Sequence, residues 1–132
     1  MGKYLTREAV LGAQDIPTED VAVPEWGGTL LVRGMTGQER DDYEASIMTG
    51  KGRNREVLLR NARAKLVARC CVDEAGKRTF ADEDVRALGG KSAAALERVF
   101  EVASRLSGIT PADMEELTKN SESAPSDDSG SV

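Results

Sequence analysis

The chain has no histidine, only two cysteines and one tryptophan, and aromatic residues make up 4% of its 132 positions. Each shortage closes a class of function. Without imidazole there is no His-based acid–base catalysis and no His-ligated metal. Cys70 and Cys71 are adjacent in a segment of helical periodicity, where neighbouring side chains diverge, so a bond between them is geometrically poor. Two thiols without a histidine also make no metal site of familiar spacing, and they read as small core residues in a reducing compartment. The scarcity of aromatics leaves an aliphatic core. No apolar run approaches the length that crosses a bilayer. The opening MGKYLTREAVLG lacks the apolar stretch of a secretory signal, and its loose fit to an N-myristoylation pattern (Gly2, Thr6) reads as coincidence. Basic charge is short as well: 18 basic against 23 acidic residues, net −5, argues against a dedicated nucleic-acid binder. The acids fall on solvated helix faces and in loops, and no Ser, Cys or Lys has an activating partner in sequence. No catalytic, metal or cofactor site is legible.

What the chain does have is concentrated in residues 54–72, NREVLLRNARAKLVARCCV. Wound at 100° per residue, this stretch carries two apolar stripes. Leu59, Ala62, Leu66 and Cys70 form one; Val57, Ala64, Val67, Ala68 and Cys71 form the other. Basic residues fill the seams, with Arg55, Lys65 and Arg69 on one side and Arg60 and Arg63 on the other. A surface helix has one apolar stripe. A helix with two must be covered on both sides, and the long basic stems can lie along the cover with their heads in water. From Lys51 to Arg69 there are seven basic residues and one acid, yet no aromatics are interleaved and the charges are split between two seams. That is poor geometry for nucleic acid.

The rest of the chain reads as an α-rich domain around that helix. Tyr4 to Leu11 is a short helix with Thr6 near its start, and Gln14 to Asp20 is an extended lead-in. In VAVPEWGGTLLVRG, alternating apolar residues flank the turn-rich Pro24-Glu25-Trp26-Gly27-Gly28, the pattern of a β-hairpin. Trp26 has two readings, a lid over the edge of the core or an exposed anchor for a partner. Thr36-Gly37-Gln38-Glu39 is a capping box that starts a helix running to about Met48, with Tyr43 and Ile47 on one face. Residues 49–53 read as a loop, after which Asn54 caps the central helix. Asp82 is placed to cap a brief helix through Leu88. Gly90-Lys91-Ser92 resembles the end of a phosphate-binding loop, but Val85 stands where its leading glycine belongs and no strand precedes it, so a plain helix start is expected. Ser92 to Ser107 is the clearest amphipathic helix. Leu96, Val99, Phe100, Ala103 and Leu106 line one face, Glu97, Arg98, Glu101, Ser104 and Arg105 the other, and Gly108 is placed for the C-terminal cap. Thr110-Pro111 begins a last helix with Met114 and Leu117. From Asn120 the chain has almost nothing to bury. The expected fold is mainly α with a small N-terminal β-hairpin: a lead-in over 1–20, one hairpin-plus-helices domain over 21–119, and a disordered acidic tail over 120–132.

The residues also carry a likeness. Tyr4-Leu5-Thr6-Arg7, Val23-Pro24-Glu25-Trp26-Gly27-Gly28, Val32-Arg33 and Thr36-Gly37-Gln38-Glu39-Arg40-Asp41 are followed by Asn61-Ala62-Arg63-Ala64-Lys65-Leu66-Val67-Ala68. Lys91-Ser92-Ala93-Ala94-Ala95-Leu96-Glu97-Arg98-Val99-Phe100 completes the set. In that order and spacing the chain resembles the tail assembly chaperones of long-tailed phages that infect actinobacteria. The resemblance implies a non-enzymatic protein of the host cytoplasm, absent from the finished virion. It implies that the protein binds the tape measure protein, keeps it soluble and helps the tail-tube (major tail) protein polymerise around it. It also implies the shorter of two forms, the longer made by a ribosomal frameshift, with self-association or pairing to the longer form as further contacts.

Residues and resemblance meet at the central helix. Its second stripe, with the hairpin edges, is expected to receive a helix of the tape measure protein or a second copy, with Trp26, Val57, Ala64, Val67, Ala68 and Cys71 in contact and Arg60 and Arg63 orienting the partner. The alternative is that the N-terminal segment and hairpin cover that stripe within the monomer. Rival functions are a structural virion component such as a head–tail joining protein, and a small nucleic-acid-binding regulator.

Overall fold

The computed structural model describes residues 3–49, 56–57 and 61–110. The chain opens with a short helix α1 (Arg7–Leu11), started by Thr6, whose Oγ1 accepts the Ala9 N–H at 3.1 Å. Strands β1 (Thr18–Val23) and β2 (Gly28–Arg33) then form the hairpin. Its turn is one 3-10 turn over Pro24–Trp26, closed by Gly27 at φ +79°, a torsion that a side chain resists. Alternation does the sorting. Val21, Val23 and Val32 point into the core, while Thr18, Asp20 and Ala22 point to solvent.

Helix α2 (Gly37–Ile47) starts on the expected capping box. Thr36 Oγ1 accepts the Glu39 N–H at 3.1 Å, and Glu39 Oε1 accepts the Thr36 N–H at 2.9 Å. Tyr43 and Ile47 are its buried residues, and the Tyr43 hydroxyl donates to the Ala62 carbonyl at 3.2 Å. Directly after it, β3 (Met48–Thr49) pairs antiparallel with β4 (Glu56–Val57).

The central segment departs from the expected single helix. Glu56–Val57 is strand, and helix α3 runs only from Ala62 to Cys70, entered through Asn61 at φ +65°. At Cys71 the chain turns extended and becomes β5 (Cys71–Val72), the third strand of the sheet in the order β1-β2-β5, antiparallel throughout. The helical periodicity did continue through Cys71 and Val72, but β2 offers a free edge there, and sheet pairing outweighs the weak helix preference of Cys and Val. Thr79 donates to the Cys71 carbonyl at 3.0 Å and occupies the far edge of that residue.

After a turn at Asp73–Gly76, a 3-10 turn (Asp82–Asp84) leads into α4 (Val85–Gly89). The cap expected of Asp82 is made by Asp84, whose Oδ2 accepts the Ala81 N–H at 2.8 Å, while Asp82 pairs with Arg78 at 3.0 Å. Helix α5 (Ala93–Leu106) follows a plain start, with Ser92 Oγ accepting the Ala95 N–H at 3.2 Å. It ends in a Schellman motif. Gly108 adopts φ +76° and Ile109, itself buried, returns its N–H to the Ser104 carbonyl at 2.8 Å. Leu96, Val99, Phe100 and Ala103 are buried as their spacing requires, but so is Ser104, which the pattern placed on the wet face. Helix α5 touches both α3 and the β1–β2 hairpin, so its covered arc is wider than one stripe. The expected cap at Asn54, the loop at 50–53, the side chains of Arg55, Val57, Leu59 and Arg60, the last helix from Pro111 and the tail from Asn120 lie outside the described residues.

Candidate partner-binding surface

Helix α3 is closed on all its apolar sides. Leu66 and Cys70 of the first stripe are fully buried, and so are Val67, Ala68 and Cys71 of the second, with Ala64 at 1% exposure. Helices α5, α4 and α2 pack against α3, and β5 carries its C-terminal end into the sheet. This corrects the expectation of a stripe left open for a visitor: Ala64, Val67, Ala68 and Cys71 have no surface to offer. The monomer covers them because α2, α4 and α5 pack around α3 and β5 continues it into the sheet. Small residues at 62, 64 and 68 let those neighbours approach closely.

The basic seams fare differently. Arg63 is exposed and pairs with Glu97 at 2.5 Å, its guanidinium 5.5 Å from the centre of the Phe100 ring. Lys65 donates to the Ser46 carbonyl at 2.7 Å and so fastens α3 to the end of α2. Trp26 is half-buried on the rim of the core, in the lid position. An open groove of about 540 Å³ runs past Arg63, lined among others by Asn61, Lys91, Ala93, Ala94 and Glu97.

Burial pushes the Cys70 thiol up to about 11 and the Cys71 thiol up to about 12, so neither is a thiolate at neutral pH. Among the described residues no group of three His, Cys, Asp or Glu side chains converges to hold a metal, and no helix is long and apolar enough to cross a membrane.

Ion pairs tie the hairpin to α5. Glu19 accepts from Arg105 at 2.9 and 3.0 Å, and Glu25 accepts from Arg98 at 2.7 and 2.9 Å. The bidentate Arg98 guanidinium, helped by the backbone N–H of Glu25, holds the Glu25 carboxyl near 2 against an ordinary 4.5. An acid so depressed stabilises the folded chain above its unfolded pKa and loses that contribution as pH falls through the folded one. Glu39, lowered by Arg33, and Asp82, lowered by Arg78, act with the same sign. Thermal melts should therefore lose stability as the pH drops from about 4.5 to about 2, and Glu25→Gln should remove a share of that fall. A Glu25→Gln profile identical to wild type would refute the tether.

The apolar surface that the sequence did not single out is the N-terminal arm. Tyr4, Leu5, Val10, Leu11 and Ile16 stand 78, 81, 52, 68 and 38% exposed, and α1 has no buried residue. Outside this arm no large apolar side chain of the described residues is comparably exposed. The signal was present in sequence as the large apolar residues ahead of Pro17, but that segment read as a possible cover for the central helix.

A family model described as phage tail assembly chaperone matches residues 6–120. No curated protein and no solved structure matches the chain.

Proposed function

The chain belongs to the phage tail assembly chaperone family, a family of assembly factors and not of enzymes, and from that premise we propose that it binds the tape measure protein of its phage. In this reading it keeps that long helical chain soluble and promotes polymerisation of the tail-tube protein around it. The family match carries the reading. The physical character of the surface supports it: a body with a sealed core, no reactive centre among the described residues, and exposed apolar side chains gathered in one arm. The action in the host cytoplasm, the absence from finished virions, the actinobacterial host, the two forms related by frameshift and contacts between copies are parts of the same proposal.

Co-expression tests it. The tape measure protein should be largely insoluble alone and should co-purify with this chain when both are made together. Equal solubility with and without the chain would refute the proposal. Mass spectrometry of purified virions gives a second check: stoichiometric presence there would favour a head–tail joining protein.

A further inference from the structure

We draw no further inference here: the strongest candidate, the exposed apolar patch of the N-terminal arm around Tyr4, Leu5, Val10 and Leu11, carries nothing because nothing in the structure shows what covers it.

Discussion

Glu in place of Val67 is expected to unfold the chain. Val67 is fully buried, on a helix flanked by three others and joined to the sheet. A carboxylate there must be dehydrated without a partner, or must take up a proton at neutral pH, and its longer side chain must also displace packed neighbours. The loss should exceed about 4 kcal/mol, a large part of the roughly 5–15 kcal/mol that holds a domain of this size together. Soluble yield should collapse, and any purified fraction should lack a cooperative urea transition. Val67→Ala removes volume without adding charge and should cost about 1–3 kcal/mol. Had the second stripe been a docking face, Val67→Glu would have kept the fold and lowered only partner affinity. A well-folded Val67→Glu protein with a wild-type midpoint would refute the sealed core.

The second large effect is expected at Gly34, between β2 and α2. A Cβ added there would lie 2.3 Å from the Leu106 carbonyl oxygen, 2.9 Å from its carbon and 3.4 Å from the Pro17 ring. The nearest of these atoms are backbone, so no rotamer change relieves the clash. The end of α5 has to move off the sheet. With it would go the Met35 N–H bond to Ser107 Oγ at 3.0 Å and the seat of Pro17, from which the arm departs. Gly34→Ala should cost about 1–3 kcal/mol, in the range of core overpacking, and lower Tm by roughly 4–8 °C per kcal/mol. Gly28→Ala, where an added Cβ meets nothing within 4 Å, is the control and should be close to neutral. Equal melting of the two variants would refute the close approach.

Position by position, legibility followed the range of the interaction. The capping box at Thr36 and Glu39, the glycine turn of the hairpin, the buried face of α5 and the cap at Gly108 all formed as read. Each is satisfied by atoms within a few residues along the chain. Asp82 and Asp84 show the limit even there, because Arg78 drew Asp82 away from capping. Ser104 and the Cys71-Val72 strand were misplaced because their settings are made by elements distant in sequence, the hairpin above all. For the candidate surface, Trp26 is half-buried on the rim of the core and Arg63 is exposed, while Ala64, Val67, Ala68 and Cys71 were consumed by the core.

From the residues alone came the fold class, the absence of histidine chemistry, the boundaries of α2 and α5 and the likeness that the family match supports. These rest on composition and on local periodicity, both complete within a one-dimensional string. The tertiary structure alone decided which apolar surface stayed in water. Periodicity tells how much of a helix is greasy but not how many neighbours will reach it. Here three helices, and the strand that continues α3 into the sheet, covered its apolar sides, while Tyr4, Leu5, Val10 and Leu11 stayed exposed.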